Sequence, residues 1–238
     1  MRILVLQHAR SEHPGFFRHL LEEDGHDWVP AHLDEGDDLP GIEGFDALWV
    51  MGGPMDVWEE DAHPWLGPEK ALIHEAVEER GLPYLGLCLG HQLLACALGG
   101  EVAKGTPEIG VMPVLLTELG AEGIYFDGVE SPLMALQWHG AEVTRLPEGA
   151  RVLATSPACA VQAMSWGTRA FSTQFHVEIE ADTVANWCAI PEYAAALDEA
   201  MGGNGREKMS AACDTAMRGF NTNAERIYIN WLQATASV

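Results

Sequence analysis

The sequence predicts an α/β protein built on a mostly parallel β-sheet flanked by helices. Three observations lead there: short apolar runs alternate with segments of helical spacing up to Gly100, glycines close the helices, and shorter apolar stretches broken by Gly and Pro follow.

Residues 3–6 are an apolar strand candidate. GFFRHLLEE, residues 15–23, has helical spacing and stops at Asp24 and Gly25, a glycine end signal. A second short strand is read at 26–30, and a third in FDALWVMGG, 45–53, which ends in a glycine pair. PEKALIHEAVEERG, 68–81, sets Leu72, Ile73, Ala76 and Val77 on one face between a proline and Gly81, and is read as a helix. Residues 84–87 give the next strand and 90–98 the next helix, stopped by Gly99 and Gly100. The runs VMPVLLTEL, ALQWHGAEVTRL, ARVLATS, VQAMSW and RAFSTQFHVE then read as β-strands. From Ala181 onward the pattern is mainly helical, interrupted by GGNG at 202–205. With no repeat or long linker, the organisation expected is a single domain over 1–238 with a mainly helical tail, 181–238.

Composition narrows the classes of function. The 238 residues are 47% hydrophobic, enough for a full core. The formal net charge of -23 repels polyanions, which excludes nucleic acid as a general partner. No stretch approaches the roughly 18 apolar residues of a membrane span, so no membrane partner is expected. Cys88, Cys96, Cys159, Cys188 and Cys213 are odd in number and lack CxxC spacing, which suggests neither a disulfide framework nor a metal site, but reduced thiols in a cytoplasm.

One segment asks for chemistry. In GLPYLGLCLGHQLLACALGG, residues 81–100, Cys88 stands between Gly86 and Gly90 where a strand turns into a helix. This G-x-C-x-G form is the cysteine counterpart of a nucleophile elbow, whose strained turn requires neighbours without side chains. A helix N-terminus beneath the sulfur favours thiolate, and the Leu89 amide is placed to hold an oxyanion. Cys96, two turns on, is read as a core thiol. A thiolate also needs a base, and that base an orienting group. His91 lies near Cys88 in sequence, but its place in the first helical turn makes it a poor candidate. His176 in QFHVE ends a strand-like run with Glu178 two residues on, so an extended chain points both side chains the same way.

MGGPMDVW (51–58), GLCLGHQLL (86–94), QWHG (137–140) and QFHVE (174–178), in that order, resemble the class I glutamine amidotransferases, and among them the stand-alone, GMP-synthase-like glutaminase domains. The resemblance runs from the first strand to about Trp187. It implies a flavodoxin-like class I glutaminase fold and a catalytic set of Cys88 as nucleophile, His176 as base and acid, and Glu178 as its partner. It further implies Gly53 and Leu89 as oxyanion-hole amides, and Gln92, Trp138, His139 and Gly140 at the substrate. The activity implied is hydrolysis of the glutamine γ-amide through a cysteine thioester, without metal or organic cofactor. No ATP-binding loop of SGGxDS or GxxxxGK[ST] type is visible, so the expected acceptor of the ammonia is a separate synthetase.

The sequence departs from the family pattern in three places. Val177 stands where Pro is usual, Pro107 replaces the lysine of a Lys-Glu-Ile-Gly stretch, and Ala141 replaces a common aspartate. These leave two alternatives: a γ-glutamyl peptidase acting on glutathione-like compounds, and a non-catalytic binding module of the same fold. A cysteine α/β-hydrolase fits less well, because its acid precedes the histidine in the chain. Asp56, Glu59, Glu60 and Asp61 are read as a solvated acidic loop that could also attract a cationic leaving group. Trp28, Trp49, Trp65 and Trp166 are read as packing residues.

Overall fold

Strands β1 (Arg2–Gln7), β3 (Ala47–Val50) and β4 (Tyr84–Leu87) are continuous apolar runs with almost no exposed position, the pattern of strands covered on both faces. In the computed structural model, which describes residues 1–236, they lie side by side as the second to fourth strands of a nine-stranded sheet. Residues 237–238, the end of the expected helical tail, lie outside the described residues. With β2 (Asp27–His32), β5 (Glu101–Leu116), β6 (Leu133–Arg145), β7 (Ala150–Thr155), β8 (Ala163–Trp166) and β9 (Ala170–Thr173), the order is β2-β1-β3-β4-β9-β8-β7-β5-β6. The pairings from β2 through β9 are parallel, with Ile3 opposite Trp28 and Ala47, and Leu85 opposite Trp49 and Phe171. Those from β9 to β6 are antiparallel. The sheet flanked by helices, with its site-bearing strands β1, β3, β4 and β9 all parallel, is the predicted fold, and the antiparallel extension makes it mixed.

Seven α-helices complete the fold among the described residues: α1 (Phe16–Glu23), α2 (Leu66–His74), α3 (Leu89–Ala97), α4 (Glu118–Glu122), α5 (Thr183–Trp187), α6 (Pro191–Met201) and α7 (Gly205–Ala236). On one face of the sheet, Phe17 and Leu21 of α1 and Trp231 of α7 bury against Val5, Trp49 and Phe171. Trp49 and Trp231 meet edge to face at 5.3 Å, and the Trp231 indole N–H donates to the Tyr84 carbonyl at 3.0 Å. Full burial of such side chains stabilises by about 1.5–3 kcal/mol each, so α7 is an integral layer of the sheet. On the other face, Leu72 and Ile73 of α2 and Leu93 and Leu94 of α3 pack on Leu48 and Val50. A third cluster joins Ile109, Leu136 and Trp138 of the β5–β6 hairpin to Trp187, Tyr193 and Leu197 of α5 and α6.

Some boundaries differ from the sequence reading. The helix expected over 68–81 begins at Leu66 and, after His74, loosens into a π-helical turn over Glu75–Glu79. The strand expected from Val111 starts ten residues earlier, at Glu101, because β5 pairs with β6 along both its ends across a register shift between Lys104 and Glu108. Residues 174–178 are not strand: β9 ends at Thr173, and His176 makes an isolated bridge to Leu136 of β6. GGNG interrupts the tail as expected, between α6 and α7.

Candidate active site

Cys88 sits between β4 and α3 with φ +50°, the only residue other than glycine with positive φ among the described residues. Holding an L-residue there stores roughly 1–3 kcal/mol of strain, which persists only where the surroundings over-determine it. The surroundings do so. The Cys88 amide donates to the Thr173 carbonyl at 2.8 Å, and the Gly90 amide to the Met51 carbonyl at 3.2 Å. A Cβ on Gly90 would strike the Val50 carbonyl, and one on Gly86 would lie 2.7 Å from the Gly90 oxygen. The two glycines are therefore required by close packing of the elbow on β3 and on itself, as the G-x-C-x-G pattern implied.

His176 is buried, and its Nδ1 lies 2.6 Å from Glu178 Oε1. The second Glu178 oxygen accepts the Val177 amide at 3.0 Å. The i, i+2 pairing thus survives although the segment is not extended strand. The bridge to Leu136 anchors the histidine backbone, and the tight turn of α1 anchors the glutamate: the Phe16 amide donates to the Glu178 carbonyl at 2.6 Å. Burial opposes a charge on His176, but Glu178 and the neighbouring Cys88 outweigh it and hold the imidazole well above its usual range. With Nδ1 engaged by Glu178, Nε2 is the nitrogen left for the sulfur. Trp187 packs edge-on at 4.8 Å from the ring.

A cavity of about 510 Å³ opens on Cys88, within the range of small-molecule sites. Gly53, Leu89, Gln92, Trp138, His139 and Gly140 line it as well, so the expected residues other than the buried His176 and Glu178 meet at one wall. A Cβ on Gly53 would fall 2.8 Å from both His8 and Leu89, so only glycine lets the Gly-Gly-Pro loop approach the elbow. Gln92 donates to the Ala141 carbonyl at 3.2 Å and to Gln174 Oε1 at 3.1 Å, and Gln174 in turn donates to Cys88 Sγ at 3.5 Å. The Trp138 indole N–H is buried without a hydrogen-bond partner. His91 points away, with its ring nitrogens on Ser172 and the Val161 carbonyl, and burial lowers its pKa to about 3.

Several supporting residues escaped the sequence reading. His8 is completely buried, with Nδ1 donating to the Gly52 carbonyl at 3.0 Å and Nε2 at 2.8 Å from Glu69 Oε1. A carbonyl and a carboxylate both accept, so the ring satisfies both as an imidazolium. Its pKa is accordingly raised: burial opposes the charge, but Glu69 more than offsets it. This pair fixes the peptide that precedes Gly53. Tyr193 of α6 donates to Glu12 at 2.5 Å, and α6 also supplies Ala196, Glu199 and Ala200 to the cavity, so the tail forms part of its wall. Of the acidic loop, Asp56 reaches the cavity, while Glu60 pairs with Lys70. An acidic or aromatic residue far from any motif gives no sequence signal of such a role. His8 carried the only cue, a histidine at the carboxyl end of β1.

Known proteins share this architecture and much of this sequence. The family profile "Glutamine amidotransferase class-I" matches residues 26–184. The glutamine amidotransferase-like protein YfeJ of Salmonella typhimurium is 32% identical over 189 residues, 77% of this chain and 78% of that one. A glutamine-hydrolyzing GMP synthase subunit of Sulfolobus acidocaldarius is 34% identical over 172 residues, 70% of this chain and 86% of that one. The chain spans only 26% of the longer GMP synthase of Thermotoga maritima. A crystal structure of a glutamine amidotransferase from Thermotoga maritima superimposes with a TM-score of 0.85 at 27% identity, covering 100% of this chain and 99% of that one. The chain belongs to the class I glutamine amidotransferase family.

Proposed function

We propose that the chain is a cysteine amidohydrolase of the γ-amide of glutamine. The observation that carries this is the strained Cys88, held on the cavity wall beside a histidine whose other nitrogen is bound by Glu178. The Cys88 thiolate attacks the amide carbon, and the Gly53 and Leu89 amides stabilise the oxyanion. The His176 imidazolium protonates the leaving ammonia. The γ-glutamyl thioester left on Cys88 is then hydrolysed by water that His176 deprotonates. Gln92, Trp138, His139 and Gly140 hold the amino-acid end of the substrate. Ammonia passes to a separate synthetase, a reading supported by the Sulfolobus acidocaldarius relative, which is itself one subunit of a GMP synthase.

Asp56, Glu192 and Glu199 on the cavity wall favour a second reading, in which the leaving group is a larger or cationic amine and the substrate a γ-glutamyl peptide or amide. One experiment separates the two. The purified protein and its Cys88→Ala variant are incubated with glutamine and with a panel of γ-glutamyl compounds, and released glutamate, ammonia and amine are measured. Turnover of glutamine that disappears in the variant supports the first reading, and turnover of the panel with glutamine untouched supports the second. A folded Cys88→Ala variant with full activity would sink both.

A further inference from the structure

A second buried cluster lies behind the cavity and shares with its lining only His139. Glu108 comes from β5, His139 from β6 and Cys159 from the loop joining β7 and β8, and all three are buried. Their donor atoms lie within 4.8 Å of one another. We propose that Glu108, His139 and Cys159 bind one divalent cation of the Zn²⁺ class, which ties the β5–β6 hairpin to the loop between β7 and β8.

The hydrogen bonds around the cluster support this. His139 Nδ1 sits 3.0 Å from the Ala141 carbonyl, which can only accept, so the proton is on Nδ1. In the neutral ring Nε2 then carries a lone pair; it is buried, without a hydrogen-bond partner, and 3.2 Å from Glu108 Oε2. Two acceptors facing each other out of water are unfavourable; a proton on Nε2 would join them as in the His8 pair, but Nε2 makes no aligned hydrogen bond to Glu108, and a cation between them removes the conflict. The separation also suits one: bonds of about 2.0 Å to nitrogen and oxygen give tetrahedral edges of about 3.3 Å. Bringing the sulfur in requires a further closure of at most about 1.5 Å.

The outer partners match those of a ligand set. A ligating histidine commonly gives its other N–H to a backbone carbonyl, and a ligating carboxylate is itself hydrogen-bonded. Ser156 Oγ donates to Glu108 at 2.8 Å, and Gln162 donates to the same carboxylate at 2.6 Å while accepting from Gln137 at 2.9 Å. The Cys159 amide donates to Ser156 Oγ at 3.0 Å. One oxygen, one nitrogen and one sulfur donor select Zn²⁺ or Co²⁺ over Mg²⁺ or Ca²⁺. Burial pushes the Cys159 thiol up to about 12, so loading displaces a proton, a cost the cation must meet.

The cation would brace the part of β6 that carries Trp138, His139 and Gly140. It takes no part in the attack on the substrate.

The test uses the full chain, stripped with a chelator and dialysed against Co²⁺ or Zn²⁺. The readouts are bound metal per chain and the thiolate-to-Co²⁺ charge-transfer absorption. The expected result is one cation per chain, with a band that persists in Cys88→Ala and disappears in Cys159→Ala. Zn²⁺ affinity should fall at least about tenfold in Glu108→Gln, which keeps the thiol and the packing volume and decides the matter if Cys159→Ala does not fold. The proposal is overturned if the wild type holds no stoichiometric cation, if the band follows Cys88 instead of Cys159, or if Glu108→Gln binds as tightly as wild type.

Discussion

In the parallel half of the sheet, the groups at the cavity are set by backbone. The elbow is locked by amide hydrogen bonds from Cys88 to β9 and from Gly90 to Met51 just past β3, Gly53 is wedged between His8 and Leu89, and His176 and Glu178 follow directly from β9. In the antiparallel half, the β5–β6 hairpin joins the rest of the sheet by ladder pairing at Leu115 and Leu116 and by the bridge from Leu136 to His176. Its cavity residues Trp138 and His139 lie in the β5–β6 ladder opposite Ile109 and Glu108, and the hairpin is fastened by the Gln137–Gln162–Glu108 side-chain hydrogen bonds and by packing of Trp138 against α5 and α6. Under the proposed mechanism the contrast amounts to a division of labour, with the reacting groups on the rigid, backbone-locked half and recognition on the other half, which meets the first at the Leu136–His176 bridge.

The sharpest way to break this comparison is Glu178→Gln. Loss of the carboxylate removes the charge that holds His176 protonated and oriented, and kcat should fall by about 10²–10⁴-fold with KM much less affected. Trp138→Ala on the hairpin should show the opposite split, with KM rising more than kcat falls. Steady-state kinetics on both variants decides, and a Trp138→Ala variant whose loss is mainly in kcat would end the division of labour.

Next in size is a stability effect within the rigid half. Glu69→Gln leaves the buried His8 imidazolium without its counter-charge, and removing one partner of such a pair costs about 3–5 kcal/mol. The pH dependence has a definite sign. Because the folded pKa of His8 is raised above 6.5, the wild-type pair contributes fully below about pH 6.5 and its contribution is lost as pH rises through the raised value. Urea titrations at pH 6 and pH 9 should therefore show a larger gap between wild type and Glu69→Gln at the lower pH. An equal gap at both would mean that His8 is neutral and that Gly52 is held by other means.

The same contrast explains what could be read from the sequence. The elbow was legible because its strain demands glycine at fixed offsets, and the sheet because doubly covered strands leave unbroken apolar runs. Glu178 was found through its spacing from His176, although the reason offered, an extended strand, is replaced by a bridge to Leu136. Glu69, Glu12 and Tyr193 were not found, since each acts through tertiary hydrogen bonds that leave no local pattern. Glu108 was noted only for its neighbour Pro107, and Cys159 was one of five scattered thiols. What unites them with His139 is the folding of the hairpin over the β7–β8 loop, which no spacing in the chain announces.

The smallest effect sharpens the comparison on the recognition side. Ala141, one of the three departures from the family pattern, lines the cavity one residue past Gly140 and is buried. A carboxylate there gives a substrate α-ammonium a charge-assisted hydrogen bond, worth about 1.5–3 kcal/mol before the cost of burying the new charge. A net gain of about 1.4 kcal/mol corresponds to a tenfold lower KM for glutamine in Ala141→Asp, with kcat unchanged because the elbow is untouched. If KM falls for glutamine but rises for γ-glutamyl compounds with bulky amines, the alanine is what widens the natural site. If kcat moves with it, the hairpin reaches into the chemistry and the two halves of the sheet are not independent.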